Sequence, residues 1–371
     1  VSTEAPYIPR EKVHDRDGLV DLKAFDRAGL EAWFVDQGEK RFRGHQAFKW
    51  IWQRGVSSPQ EMTNIPKTTR SWLEENACIP TLATAGVQVS EDGTRKYLWE
   101  CHDGSHIESV YIPDEDHPSK PRRTLCISTQ VGCAMGCTFC LTGDMGLKRN
   151  LKPGEIATQV LQVAQDLGPE RPITNLVMMG MGEPLHNLDH IIVALRTMLD
   201  EDGLNLSHRK ITVSTVGLVP AMKKLASVLP VNIAVSLNAS THDQRVQVMP
   251  ITKKYSMAEL MQTCKDLPLP RAKRITFEYV MMAGFNDSLE DAARLIKLMK
   301  GVKSKINLIP YNENPHRDIK RPSDAQVRSF QQYLVTRGLH CSVRAARGRD
   351  ISAACGQLGK GKELQEPSVE T

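Results

Sequence analysis

The chain has 371 residues, 40% of them apolar and 25% charged, which suits a folded globular protein of roughly two to three units and excludes disorder throughout. Forty-eight Lys and Arg against 43 Asp and Glu give a net charge of +5, which permits a nucleic-acid partner without demonstrating one, because only clustered charge makes a binding surface. No apolar run approaches the ~18 residues of a membrane span, and the first 20 residues lack the apolar core of a secretory signal. Nine cysteines, three of them within eight residues, argue for a reducing compartment and a metal site rather than a disulfide scaffold. The expectation is a cytoplasmic monomer that does not enter a membrane.

In chain order, residues 1–18 are polar, carry two prolines and read as a flexible tail. Residues 19–86 are patterned as a small helical domain: Leu22, Phe25, Leu30 and Phe34 fall on one helical face, and Ala47, Phe48, Ile51 and Trp52 on a second. Over 87–118 the period drops to two in KYLWEC and HIESVYIP, separated by His102-Asp103-Gly104-Ser105, which predicts a β-hairpin and linker. From 119 to 350, apolar strands (TLCIST, TNLVMMG, KITVST, NIAVSL, RITFEYVMM, KINLIP) alternate with helical segments near 153–167, 187–200, 217–228, 256–266, 288–300 and 323–337. Six β-then-α units argue for a parallel sheet covered by helices. An open doubly wound sheet and a partial TIM-like barrel both fit this alternation, and both place reactive residues at the C-terminal ends of strands. Residues 351–371 form a C-terminal segment carrying Cys355.

The sharpest signal is Cys133-Ala-Met-Gly-Cys137-Thr-Phe-Cys140, directly after the first of these strands. Thiolates favour iron–sulfur clusters, zinc or copper(I), and structural zinc wants four ligands. Three thiolates on a four-iron cluster leave one iron open. Two blander readings stand beside this: Cys126 as the fourth ligand of a zinc site, in a non-catalytic RNA-binding protein, or three inert buried thiols. Strand ends carry further candidates. Gly182-Glu183 ends the second strand, Ser214 the third, Ser236-Leu237-Asn238 the fourth, and Asn312 follows the sixth. Gly allows close backbone approach, Glu183 can accept from an ammonium, and Ser or Asn can equally be local turn caps.

The C-x3-C-x2-C loop in this βα context resembles the radical S-adenosylmethionine (SAM) superfamily. That resemblance implies a partial (β/α)6 barrel, a [4Fe-4S] cluster held by Cys133, Cys137 and Cys140, and SAM on the open iron. It makes Gly182, Glu183, Ser214, Ser236, Leu237, Asn238 and Asn312 SAM contacts. The segments RFRGHQAFKW, TLCISTQVGCAMGCTFC, NLVMMGMGEPLHN, INLIPYN and RGRDISAACGQL resemble the RlmN family, over about residues 20–359. One departure is Asn238, where many members carry His. Family membership implies methylation of carbon 2 of an adenosine in 23S rRNA and tRNA, with two SAM per turnover and an electron donor such as flavodoxin. It implies that Cys355 carries the methyl group into a covalent RNA adduct, that Cys126 resolves the adduct, and that Glu108 accepts the proton from carbon 2. A carbon-8 (Cfr-like) relative shares these cysteines and is the alternative within the superfamily. Carbon 2 lies between two ring nitrogens and is electron-poor, so it cannot attack a sulfonium methyl, whereas a carbon radical can add there. Covalent capture then divides one unfeasible displacement into feasible steps.

For RNA, residues 40–54 hold five Lys or Arg, His45 and four aromatics without an acid; Lys49 and Trp50 lie off the apolar face and are the contact candidates. Lys120, Arg122 and Arg123, then Lys148, Arg149 and Lys152, then Arg344, Arg347 and Arg349 are expected to ring the barrel mouth and neutralise phosphates around an extruded base.

Overall fold

The computed structural model describes residues 18–114, 121–270, 273–314 and 317–359. Residues 1–17 of the expected tail, residues 115–120 with Lys120, and the chain beyond 359 lie outside the described residues.

The N-terminal unit holds helices α1 (Arg27–Asp36), α2 (Arg41–Lys49) and α3 (Lys67–Asn76). Leu22, Phe25, Leu30, Phe34, Ala47, Phe48, Ile51 and Trp52 are all buried, as their periodicity requires. The first face nevertheless comes from two elements. Leu22–Ala24 is a single 3-10 turn, and the Asp26 carboxylate accepts from Gly29 N at 2.8 Å, which caps α1 and breaks the helix at that point. Helices α1 and α2 cross closely because residue 44 has no side chain: a Cβ there would lie 2.7 Å from the Glu31 Cα. Val20–Asp21 pairs in parallel with Ala77–Cys78 and closes the unit on itself.

The rest is built on one ten-stranded sheet. Its strands are β1 (Ala83–Val89), β2 (Arg95–Glu100), β3 (His106–Asp114), β4 (Arg122–Cys126), β5 (Asn175–Met178), β6 (Ile211–Thr215), β7 (Asn232–Ser236), β8 (Ile275–Met281), β9 (Ser304–Pro310) and β10 (Cys341–Val343). Neighbours in the sheet are neighbours in sequence, from β1 to β10 without a reversal. Pairing is antiparallel from β1 to β4 and parallel from β4 to β10. A doubly wound sheet reverses strand order at a switch point, so this order excludes it and leaves the barrel. Right-handed crossovers that always step the same way keep the helices on one face and curl the strands around the other. The crossover helices are Pro153–Leu167, Leu188–Leu199, Val219–Val228, Met257–Asp266, Leu289–Met299 and Asp324–Val335, each within two residues or so of its sequence expectation.

The segment expected as a hairpin and linker departs from that reading. β2 and β3 do pair, turning at Cys101–Ser105, but β1 adds a third strand and β3 continues into β4 through the Val110–Cys126 to Asp114–Arg122 register. Residues Ile107–Tyr111 are buried on both faces, so the hairpin is a wall of the barrel sheet.

Candidate functional site

The C-terminal strand ends open into one cavity that encloses about 980 Å³, mouth included. The three-cysteine loop forms one side of it. Gln130–Gly132 and Leu147–Asn150 pair as a small antiparallel ribbon that ties off the loop, and Gly132, with φ +75°, lets Cys133 N donate to Gly146 O at 2.9 Å. Cys133, Cys137 and Cys140 all face the cavity. Burial pushes the Cys133 thiol up to about 11 and the Cys137 thiol higher still, with the neighbouring thiols and Glu183 adding to the effect. Such thiols surrender their protons only to a strong Lewis acid, which suits iron. The three thiols line one cavity within reach of one another's charge. Among the described residues no three His, Cys, Asp or Glu side chains are drawn close enough to hold a single metal ion. A four-iron cluster, which spreads its ligands over separate irons, fits this donor set, and the candidate fourth ligand lies elsewhere. Cys126, at the end of β4, is buried near Cys355 and Arg344 and does not line the cavity.

Glu183 is 3% exposed and accepts from Leu185 N at 3.0 Å and Val216 N at 2.8 Å. Burial outweighs these bonds and raises its carboxyl to about 7, so the site favours a cation beside it. Gly182 lines the cavity, but its lack of a side chain matters mainly on the other side: with φ +99°, a Cβ would lie 2.5 Å from Gln130 Cβ. Ser214 and Ser236 also line it, and the Ser214 hydroxyl donates to Met178 O at 2.7 Å. Asn238 lines the wall in the left-handed region, φ +56°, where Asn is tolerated. Its amide is engaged internally, Oδ1 accepting from Val280 N at 2.9 Å and Nδ2 facing Met249 Sδ at 3.4 Å. Leu237 is buried in the core and is not on the cavity wall, and its backbone is engaged internally, N–H donating to Glu278 O at 2.9 Å and the carbonyl accepting from Arg245 Nε at 3.2 Å. Asn312 Nδ2 donates to Cys355 O at 3.2 Å while its buried Oδ1 has no partner, an acceptor open to a ligand.

Cys355 lies on the same cavity. Its segment is strapped across the mouth: Leu141 N donates to Gly356 O at 2.9 Å, and the Thr142 hydroxyl to Leu358 O at 2.8 Å. From the other side Glu108 Oε2 accepts from Gly359 N at 2.8 Å, while Glu108 Oε1 is buried without a partner. Glu108 is 1% exposed, burial raises its pKa, and it stands behind the Cys355 segment rather than on the cavity wall. Cys126 is likewise one layer back. Burial and the nearby Cys355 push its thiol up to about 12, opposed by Arg344 and by the Met179 N–H. The two sulfurs are free thiols.

Two charged cavity residues lie outside the expected site set. Arg344 was grouped with the surface cations, but it points inward beside Cys355, Cys126 and Glu278. Glu278, in the middle of β8, lines the cavity. Its signal was present: a lone acid in RITFEYVMM, a strand otherwise apolar on both faces, has to meet a polar interior.

The expected RNA contacts are altered too. Lys49 Nζ lies 2.8 Å from Asp202 Oδ1, and His45 Nε2 2.7 Å from Asp202 Oδ2; Arg27 reaches Asp202 and Asp200. This cluster docks the helical unit on the barrel, and the Trp50 indole donates to Asn64 at 2.6 Å. Arg149 is held by Asp103 and Glu155, each through two bonds, and is a structural anchor. Arg122, Lys148 and Arg349 are exposed.

Comparison with known proteins agrees with this architecture. Residues 20–79 match the ribosomal RNA large subunit methyltransferase N-terminal domain, and residues 127–296 the radical SAM superfamily. A dual-specificity RNA methyltransferase RlmN from Anaeromyxobacter dehalogenans is 49% identical over 349 residues, covering 92% of each chain. One of the same name from Pelobacter propionicus is 51% identical over 343 residues, covering 92% of this chain and 96% of its own. The crystal structure of a radical SAM methyltransferase from Sphaerobacter thermophilus superposes with a TM-score of 0.84 at 40% identity, covering 91% of this chain and 98% of that one.

Proposed function

The chain belongs to the RlmN family, and from that premise we propose that it methylates carbon 2 of an adenosine in 23S ribosomal RNA and in transfer RNA. The observation that carries this reading is the meeting, in one cavity, of the three-cysteine loop, Glu183 and Cys355, with Cys126 directly behind Cys355. A radical SAM enzyme of this family uses a [4Fe-4S] cluster and SAM, which together supply a 5′-deoxyadenosyl radical on reduction. Cys133, Cys137 and Cys140 hold the cluster. Glu183 would accept from the SAM ammonium, Asn312 Oδ1 and the Ser214 and Ser236 hydroxyls would offer further polar contacts, Asn238 would shape the wall, and Leu237 would support it from the core.

Cys355 performs the transfer. Its sulfur would accept a methyl group of the kind SAM supplies. After a hydrogen atom is removed from that methyl by the radical chemistry the bound group would supply, the methylene carbon on Cys355 would bond to carbon 2 of adenine. Glu108 receives the proton that carbon 2 gives up; its dry site and unpartnered oxygen suit a base that takes a proton late. Once the adduct has returned its unpaired electron to the one-electron donor, Cys126 attacks the Cys355 sulfur. The carbon–sulfur bond breaks, the released methylene carbon takes a proton to become the methyl group, and the disulfide left behind is reduced by an external thiol before the next turnover. Its burial protects it from adventitious oxidation until the adduct needs it. A flavodoxin-type donor provides the electrons. Among the described residues no helix is long and apolar enough to cross a membrane.

Mass spectrometry of nucleosides from RNA digested after reaction tests this directly. The expected product is 2-methyladenosine; 8-methyladenosine or unmodified RNA contradicts the assignment.

A further inference from the structure

The cavity has two chemically different ends. At one, the Glu183 charge reaches the Cys133 and Cys137 thiols. At the other, Arg344 lies within range of both Cys355 and Glu278. The first end serves the cluster and SAM. The second is where a base must meet Cys355, and Glu278 has no role there in the account so far.

Glu278 is 6% exposed, and its two carboxyl oxygens are used unequally. Oε1 accepts from Asn307 Nδ2 at 3.0 Å, whereas the buried Oε2 has no partner among the described residues. Asn307 is held against turning over, because its Oδ1 accepts from the Ser342 hydroxyl at 2.6 Å. These three residues sit side by side on β8, β9 and β10, in register. The relay fixes the carboxyl in one orientation and leaves a bare acceptor in a cavity wall. A buried polar atom left unsatisfied in a well-bonded network marks a place where a ligand brings the missing partner. Arg344 adds donors on the same wall, one of them 3.6 Å from Met179 Sδ.

Resting on the reading of the chain as an RNA adenine methyltransferase, we propose that Glu278 selects adenine by accepting a hydrogen bond from the exocyclic amino group of the target base, with Arg344 donating to the adjoining ring nitrogen. Arg344 lines the same cavity as Cys355 and Glu278, and its charge reaches both. One edge of adenine presents three groups in succession to such a set: carbon 2 for Cys355, nitrogen 1 for a donor, then the amino group on carbon 6 for an acceptor. A base with a carbonyl at carbon 6 would set an acceptor against an acceptor, and a site built around a hydrogen bond rejects such an analogue strongly. Inosine makes that change and keeps the hydrogen on carbon 2, so it reports selection without blocking the reacting atom.

The test is a competition between two otherwise identical RNAs, carrying adenosine or inosine at the target position, with methylated product counted by mass spectrometry. The wild-type protein is expected to favour adenosine by about 100-fold or more. In Glu278→Gln, Asn307 still needs an acceptor, so the new amide keeps its oxygen there and turns its NH2 into the cavity. A donor then stands where an acceptor stood, and the adenosine-to-inosine ratio should fall at least about tenfold. An unchanged ratio, or a raised SAM dissociation constant with the ratio unchanged, would overturn the proposal; the second result would move Glu278 into the SAM pocket. Should the variant fail to fold or turn over, the wild-type protein decides the matter with RNA carrying purine riboside, which has no substituent on carbon 6. The expected order is adenosine, then purine, then inosine, and equal turnover of purine and inosine overturns it. A wild-type protein inactive on all three RNAs would overturn the RNA-methyltransferase reading itself, and the proposal with it.

Discussion

Replacing Gly182 by Ala perturbs the SAM-facing wall from behind. Residue 182 has φ +99°, outside the region that L side chains adopt, and its Cβ would lie 2.5 Å from Gln130 Cβ, 2.7 Å from Gln130 Cγ and 2.9 Å from Gln130 N. The backbone strain costs about 1–3 kcal/mol, and the overpacking adds about 1–3 kcal/mol. Gln130 cannot retreat freely. It is buried, its Oε1 accepts from Glu183 N at 2.8 Å, and its Nε2 donates to Asn150 Oδ1 at 2.7 Å. Relief of the clash therefore moves Glu183, whose carboxylate is the proposed ammonium acceptor. The expected result is a loss of about 2–6 kcal/mol in unfolding free energy by urea titration, together with SAM binding weakened at least tenfold by calorimetry. Stability within about 0.5 kcal/mol of wild type, the range of an ordinary surface substitution, with SAM affinity intact, would refute the steric argument.

Replacing Cys133, Cys137 or Cys140 by Ala should abolish both the visible absorbance of the anaerobically reconstituted cluster and SAM cleavage; a full cluster in the triple variant would count against the ligand set. Glu183 titrates at about 7 in the folded protein against 4.5 ordinarily, so the folded state holds the extra proton and ligand-free stability falls as pH rises from about 4.5 to 7, then levels. The decline, up to about 3 kcal/mol, should be visible as the difference between wild type and Glu183→Gln in urea midpoints from pH 5 to 8; parallel curves would contradict it.

Much of this was legible in the chain because it depends on local pattern. The crossover helices announce themselves through amphipathic spacing and caps, such as Ser288 accepting from Asp291 N and Ser323 from Gln326 N. The C-x3-C-x2-C loop needs only its own residues to be recognised. The βα alternation alone did not choose between a barrel and a doubly wound sheet, because strand order is a property of pairing between segments; the three-cysteine loop's resemblance made that choice. The same holds for β3, whose alternation indicates a strand but not that it joins β4. Lys49 looked like a free cation because Asp202, its partner, lies 153 residues further along the chain. Arg344 was grouped with Arg347 and Arg349 by proximity in sequence, although only the β9–β10 register turns it into the cavity. Cys126 and Glu108, placed near Cys355 on resemblance, stand close behind it rather than on the cavity wall, a distinction that burial shows and spacing does not.

The covalent relay is tested most directly by trapping it. Cys126→Ala, with cluster and SAM present, should accumulate protein covalently joined to RNA, seen as a nuclease-sensitive shift on a denaturing gel, because no thiolate remains to break the carbon–sulfur bond. Cys355→Ala should form no adduct although its cluster assembles. A Cys126→Ala protein that cleaves SAM with its cluster intact yet yields no adduct, or a Cys355→Ala protein that still forms one, would contradict the account.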